Sequence, residues 1–178
     1  MQRKLVSLLV IFTLSPFVSP SATAAIDLQA DLDRIVVGIR KFDANSAATS
    51  SASTLPQMKV IFSRSETILR EIRDANAAFK RDLNIARRQI PTKDTTASPK
   101  FSTLMNLTKG YEEWLKFQEM NQVIGKKCVS TSKNSLTSLT TCLIIKLPET
   151  LENERIGLTK LQNAWKAWKV WQVKFGYA

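Results

Sequence analysis

The run from Gln57 to Ile90 constrains the fold of this chain more than any other stretch. Apolar and small side chains recur in it at steps of three and four residues: Ile61, Ser65, Ile68, Ile72, Ala75, Phe79, Leu83, Ala86 and Ile90. Such steps keep one face of an α-helix apolar along its whole length. At a rise of about 1.5 Å per residue, the run predicts an amphipathic helix about 50 Å long.

The two ends of this helix carry their own signals. Thr54 and Gln57 match a capping box, in which two side chains satisfy backbone N–H groups of the first turn. Pro56 fits the first turn, and Pro91 ends the helix because a proline pushes the preceding residue out of helical geometry. The apolar spacing breaks once near Phe79, which favours a helix bundle over a long two-stranded coiled coil.

The first 24 residues predict a secretory signal peptide. Arg3 and Lys4 precede an apolar segment from Leu5 to Val18, and Ala22 and Ala24 form a small-x-small cleavage site. Cleavage near Ala24 predicts a secreted or periplasmic, cell-envelope protein. Residues 25–178 are then long enough for a single domain with a real core.

Further helices are expected on either side of the long one. Ile26 to Phe42 predicts a first helix, and Ala44 to Ser53 predicts a flexible link, because it lacks charge and large apolar side chains. A continuation of the first helix is the competing interpretation of that link. The acids Asp27, Asp31 and Asp33 fit an exposed helix start, where they complement the helix dipole, better than a metal site.

The second half of the chain predicts two more long helices. One begins near Pro99 and ends near Ile124, where Gly125 offers a stop. Its expected core positions are Phe101, Leu104, Leu107, Tyr111, Trp114 and Leu115. The last helix begins at Pro148, and its expected apolar stripe is Leu151, Leu158, Leu161, Trp165, Trp168, Trp171 and Phe175.

The two cysteines, Cys128 and Cys142, predict one intramolecular disulfide in an oxidising compartment. A short helix is expected to begin near Ser135, since no second convincing strand exists to pair with Cys142 to Leu147. The fold class that follows is all-α. We expect an elongated up-and-down bundle of three to four main helices, with one short disulfide-bounded segment.

Missing residue types exclude much of enzyme chemistry. The chain has no histidine, so histidine-based triads, proton shuttles and histidine-ligated metals are excluded. It has no Cys-x-x-Cys pair and no glycine-rich phosphate loop, and its 15 acids are scattered. We therefore expect no catalytic residues, no metal and no cofactor. A hydrolase or lyase that uses carboxylates alone is the remaining enzymatic alternative.

The charge of the chain is the main functional signal. Loss of Arg3 and Lys4 with the leader lowers the formal net charge from +11 to +9. A basic exported protein favours anionic partners, such as membrane head groups, wall polymers or an acidic protein, with nucleic acid less favoured. The sequence leaves open a homo-oligomer. The candidate contact residues are Arg70, Arg73, Arg81, Arg87, Arg88, Lys166 and Lys169. Glu66 and Arg70 are expected to form an ion pair within the long helix.

Tryptophans provide a second, competing signal. Trp165, Trp168 and Trp171 alternate with lysines, a pattern found on surfaces that stack on bases or sugars. Their spacing of three also continues an apolar stripe, which favours a core role. The leading hypothesis is a non-enzymatic exported binding or adaptor protein. The alternative is a carrier that holds a small apolar ligand between the helices near Trp114, Trp165 and Trp168.

Overall fold

The computed structural model describes residues 28–89 and 97–174, and within those residues it contains helices and no strand. The five α-helices are α1 (Leu28–Ala47), α2 (Leu55–Arg88), α3 (Ala97–Thr131), α4 (Leu136–Lys146) and α5 (Pro148–Lys174). A 3-10 helix, Ala48–Ser51, follows α1 directly. The predicted all-α class is confirmed, but the helices number five rather than three to four. The predicted signal peptide lies outside the described residues.

Helix α2 begins where its capping signals predict. The Gln57 backbone N–H donates to the Thr54 hydroxyl at 3.4 Å, and the Thr54 N–H donates to the Gln57 side chain at 3.1 Å. The predicted capping box is therefore present. The buried side of the helix carries Leu55, Met58, Ser65, Ile68, Leu69, Ile72, Ala75, Asn76, Phe79 and Leu83. It contains most of the predicted stripe, while Ile90 lies outside the described residues.

The segment predicted as a link is helical over most of its length. Helix α1 continues to Ala47, and the 3-10 helix extends the helical path to Ser51. The competing interpretation, a longer first helix, describes this segment better. Asn45 gives the physical reason, because its buried side chain donates to the Ile61 carbonyl at 2.9 Å and to the Ser65 hydroxyl at 2.7 Å. These bonds hold the end of α1 against α2.

Helix α3 runs past the predicted stop at Gly125 to Thr131. Gly125 is a packing residue, because a β-carbon there would lie 2.3 Å from Cε1 of Phe62. The glycine lets a ring from α2 approach the α3 backbone closely, which favours glycine despite its poor helix propensity. The expected core positions of α3, from Phe101 to Leu115, are all buried.

The helices pack side by side in chain order. Helix α2 contacts α1 and α3, α3 contacts α5, and α4 contacts both α3 and α5. Lys41 pairs with Glu71 while Asn45 bonds to Ser65, so α1 and α2 run antiparallel. Lys160 pairs with Glu113 while Thr150 bonds to Asn121, so α3 and α5 also run antiparallel. The arrangement is an up-and-down helical bundle, in which the short helix α4 packs near the carboxyl end of α3.

Two apolar clusters stabilise the bundle. The main core joins α1, α2, α3 and α5 and contains Ile35, Ile72, Phe79, Leu107 and Trp114. The second, which we call the disulfide-end cluster, consists of Leu55, Met58, Cys128 and Leu139 with their partly buried neighbours. The predicted disulfide is confirmed between Cys128 and Cys142, with 5.6 Å between their α-carbons. It ties α3 to α4.

Helix α5 differs from its predicted stripe. Among the residues of α5 whose burial the structure describes, Thr150, Gly157, Leu161, Ala164 and Trp168 are buried. Leu158 was expected in the core but is exposed. Small residues take its place, because close packing of α5 against α3 leaves little space between the helices. Of the other predicted positions, Phe175 and the side chains of Leu151 and Trp171 lie outside what the structure describes. No helix within the described residues has the length and apolar character needed to cross a bilayer.

Candidate anion-binding face

Three ion pairs join α2 to α3 along the outer seam between them. They are spaced by seven residues on each helix and consist of Glu66 with Lys126, Arg73 with Glu119, and Lys80 with Glu112. The first and last have N–O distances of 2.5 Å. The pairs fix the antiparallel register. The predicted pair between Glu66 and Arg70 is absent, because the Glu66 carboxylate binds Lys126 instead.

These pairs use most of the acids of the two helices. Glu71 pairs with Lys41 of α1, and Glu113 pairs with Lys160 of α5. The glutamates of α2 and α3 therefore each bind a cation of a neighbouring helix. Seven other exposed basic residues of these two helices have no ion-pair partner in the described part of the chain, which makes the outer surface electropositive.

Four unpaired cations lie in a row along α2: Lys59, Arg70, Arg81 and Arg88. They are exposed, and they follow one another by 11, 11 and 7 residues. Both intervals are close to whole numbers of helical turns, so the four side chains share one side of the helix. This side adjoins the seam of ion pairs and is opposite the buried stripe. Within the described part of the chain, none of the four has an ion-pair partner.

A matching row lies along α3 and consists of Lys109, Lys116 and Lys127, which are also exposed and unpaired among the described residues. In the register fixed by the seam, each lysine falls between two cations of α2. We call the seven residues the outer cation face. The cations recur roughly every 7 Å over about 43 Å of helix length. Asp74 is an exposed acid on α2, one turn from Arg70.

The predicted contact residues divide into three groups. Arg70, Arg81 and Arg88 belong to the outer cation face, and Arg87 is exposed beside them at the end of α2. Arg73 is held by Glu119 across the seam and is not a free cation. The last group, Lys166 and Lys169, is exposed on α5, a helix that packs against α3 and α4. The structure therefore does not bring the α5 lysines into the same row.

Four residues of the outer cation face were not predicted from the sequence: Lys59, Lys109, Lys116 and Lys127. Their spacing on α3, 7 and 11 residues, was a usable signal because it places them on one side of a helix. Spacing within a helix could not show which cations are unpaired, because the acids that pair with the others lie on neighbouring helices.

The tryptophans with described side chains belong mainly to the core. Trp114 is 3% exposed and Trp168 is 5% exposed. The Trp114 ring meets Phe42 edge-on, with 5.6 Å between ring centroids, and the partly buried Trp165 meets Tyr111 at 6.3 Å. Edge-to-face contacts of this kind are typical of packed interiors. These contacts favour the core role of the rings over a stacking surface.

One pair of carboxyls does converge. Asp31 of α1 lies near the Asp82 carboxyl of α2 and accepts a hydrogen bond from Arg34. Burial raises the pKa of Asp31, Arg34 opposes that rise, and Asp82 adds to it. The Asp31 side chain is only 3% exposed, so a substrate would not reach it in this conformation. The expectation of an exposed first-turn acid was wrong for Asp31, because the side chain lies at the interface between α1 and α2.

The fold and the face define a class: an all-helical, disulfide-bonded bundle with a row of free cations along one side. Comparison with family models, with curated proteins and with solved structures finds no match for the chain.

Proposed function

We propose that this chain is an exported, non-enzymatic binding or adaptor protein that uses the outer cation face to hold an anionic partner. The observation that carries the proposal is the segregation of charge on α2 and α3. The glutamates of these helices are bound to cations of neighbouring helices, and seven exposed cations without an ion-pair partner in the described residues line up on one side. Such an arrangement attracts an extended anionic partner by electrostatics that reach about a Debye length into the solvent.

The shape of the face favours a partner that is long. Free cations recur along two antiparallel helices, so a linear polyanion or a flat anionic surface would meet many of them together. Each exposed contact contributes little binding free energy, so the affinity would depend on how many contacts form together. Arginines on α2 present planar donor groups that suit phosphate or carboxylate oxygens.

Export is part of the same proposal. It rests on the leader-like residues 1–24 and on the disulfide, a bond that persists in oxidising compartments. Anionic lipid head groups and wall polymers are partners that a basic exported protein would attract by charge.

The experiment compares two variants with the same loss of charge. Arg81→Gln with Arg88→Gln removes two cations from the outer cation face, and Lys166→Gln with Lys169→Gln removes two from α5. Binding is measured at low salt to phosphatidylglycerol vesicles, to purified wall polymer and to a single-stranded oligonucleotide. We expect the first variant to bind at least about tenfold more weakly than the wild type and the second to change binding by less than about twofold.

Two results would contradict the proposal. Negligible binding of the wild type to all three probes would remove it altogether. Equal weakening in both variants would show that net charge, and not the outer cation face, controls binding. The three probes also distinguish among a lipid, a wall polymer and a nucleic acid as the partner.

The alternative function, a carrier of a small apolar ligand near the tryptophans, has less support. Trp114 and Trp168 are packed among core side chains, and Trp114 is in edge contact with Phe42. An apolar ligand would have to displace these contacts. A shift in tryptophan fluorescence on addition of an apolar probe would favour the carrier.

A further inference from the structure

A groove of about 560 Å³ lies between α2 and the carboxyl end of α3. Its walls come from equivalent positions on the two helices: Lys59, Phe62, Ser63 and Glu66 on α2, and Lys126, Val129, Ser130 and Lys133 on α3 and the residues that follow it. The residues from α2 have the spacing i, i+3, i+4 and i+7, and those from α3 have the spacing i, i+3 and i+4, so each set lies on one face of its helix. Asn134 completes the lining.

The two ends of the groove differ in charge. At one end Glu66 and Lys126 form an ion pair with an N–O distance of 2.5 Å. The groove is also lined by Lys59 of α2 and by Lys133, which lies two residues beyond the end of α3, and neither has an acidic partner in the described part of the chain. An anion in the groove would be attracted by the ammonium groups of both lysines.

Neutral groups beside these lysines suit an anion that carries an organic body. The Asn134 amide and the Ser63 hydroxyl are hydrogen-bonding groups of the lining without a protein partner in the described residues. Phe62 and Val129 supply an apolar floor, and both are held by the disulfide-end cluster. The groove is therefore polar at one end and apolar in the middle, as is usual for small-molecule sites.

Two consecutive residues in left-handed conformation shape the polar end. Lys133 has a φ of 46° and Asn134 a φ of 63°. Asparagine tolerates this region, whereas lysine is disfavoured there by steric contact of its β-carbon. The turn that begins here leads into α4, and it brings both side chains to the lining of the groove.

We propose that this groove is a binding site for a phosphate monoester with a small organic body, such as a sugar phosphate. A phosphate monoester carries nearly two negative charges at neutral pH, which matches Lys59 and Lys133 together. Its three terminal oxygens accept several hydrogen bonds, and its organic body would lie on Phe62 and Val129. A carboxylate, with one charge, would engage only one of the two lysines fully.

The test uses the oxidised protein and follows backbone amide resonances while glucose 6-phosphate is added. We expect shifts at Phe62, Val129 and Asn134 that saturate below about 10 mM, and no comparable shifts with glucose. Lys59→Gln and Lys133→Gln should each weaken binding at least about tenfold. Lys127→Gln is the matched control, since it removes an exposed, unpaired lysine from the same end of α3 outside the groove. It should change binding by less than about twofold.

Three results would overturn the site: no saturable shifts, equal weakening by Lys127→Gln, or acetate binding as tightly as glucose 6-phosphate. The groove lies at one end of the outer cation face, but the proposal for the groove and the proposal for the face can be contradicted independently. Arg81→Gln with Arg88→Gln should leave binding of glucose 6-phosphate unchanged, because both residues lie several turns of α2 away from the groove.

Discussion

Asp31 is a buried acid whose two oxygens have different surroundings. One accepts a hydrogen bond from Arg34, and the other, Oδ2, has no hydrogen-bond partner in the described structure although it is buried. Burial raises the pKa of Asp31, and the neighbouring Asp82 carboxyl contributes in the same direction. A raised pKa in the folded state means that folding favours the protonated acid. Stability contributed by this group therefore falls as the pH rises through the folded pKa.

Asp31→Asn should stabilise the protein at neutral pH. The amide keeps an oxygen for Arg34 and replaces a carboxyl group that is buried near Asp82 with a neutral one. We expect a gain of roughly 1 kcal/mol in the free energy of unfolding at pH 7, measured by urea denaturation. The gain should shrink as the pH falls towards the usual aspartate pKa, since the wild-type acid is then protonated as well. Asp74→Asn, on the exposed side of α2, is the control. A constant difference at all pH values would contradict the expectation.

Gly38 shows how tightly α1 and α2 approach each other. A β-carbon at this buried glycine would lie 2.4 Å from Cγ1 of Ile72, which is itself fully buried. Gly38→Ala should therefore destabilise the fold by about 1–3 kcal/mol, although alanine is the better helix former. Ile72→Ala removes the clashing atoms and should cost about 2–5 kcal/mol alone.

A double-mutant cycle checks the contact. The Gly38→Ala and Ile72→Ala pair should cost clearly less than the sum of the two single changes, because the new methyl group fills part of the cavity. Additive costs in thermal or urea unfolding would show that the two residues do not compete for space.

Burial could be predicted from the sequence for residues whose role follows from their position on a helix. Ser65 and Ala75 were placed in the buried stripe because of their spacing, and both are buried. Asn45 and Asn76 were missed, although both are buried too, because their partners lie on other helices. A buried polar residue becomes recognisable only when the group that satisfies it is known.

Among the helices, α2 was predictable because its signals are local. The cap at Thr54 and the apolar period are contained within the helix itself. The end of α3 was not predictable in this way. In the sequence Gly125 indicates the end of a helix, but in the structure it lies within α3 and allows close contact with Phe62 of α2. Similarly, the polar residues after Phe42 lack a core pattern, and α1 continues there because of hydrogen bonds to α2.

The disulfide is the covalent link between α3 and α4. Cys128 is buried in the disulfide-end cluster with Leu139 of α4. Cys142→Ser should lower the free energy of unfolding by about 3 kcal/mol, the usual effect of opening a loop of about 15 residues. Hydrogen exchange should rise in α4 and at the end of α3, while the exchange of α1 stays close to that of the wild type.

A control variant separates loss of the disulfide from a general effect of substitution in α4. Ser138→Ala alters an exposed residue of α4 and should leave exchange in α3 unchanged. Faster exchange across the whole bundle in Cys142→Ser would contradict the view that the disulfide acts locally. Because Val129 lines the groove beside Cys128, Cys142→Ser should also weaken glucose 6-phosphate binding.

The distribution of charge over the whole molecule could be predicted only in part. The net charge and the arginines of α2 were evident from the sequence, and Arg70, Arg81 and Arg88 do share one side of that helix. The neutralisation of Arg73 by Glu119 was not evident, because it depends on the register of α2 against α3. The groove depends on the same register, since its two walls come from segments more than 50 residues apart. Long-range pairing is the part of the fold that periodicity does not determine.

Salt dependence provides a test of the outer cation face at the scale of the whole molecule. If several of its seven cations contact a linear polyanion together, bound counterions are released, and the logarithm of the affinity falls linearly with the logarithm of salt concentration. For a single-stranded oligonucleotide the slope should be about −0.7 for each contact. Arg81→Gln with Arg88→Gln should therefore make the slope shallower by about 1.4, measured between about 50 and 200 mM salt. Lys166→Gln with Lys169→Gln should leave the slope unchanged. An equal change of slope in both variants would mean that the partner responds to the total charge of the bundle, and the row of cations along α2 and α3 would then have no special role in binding.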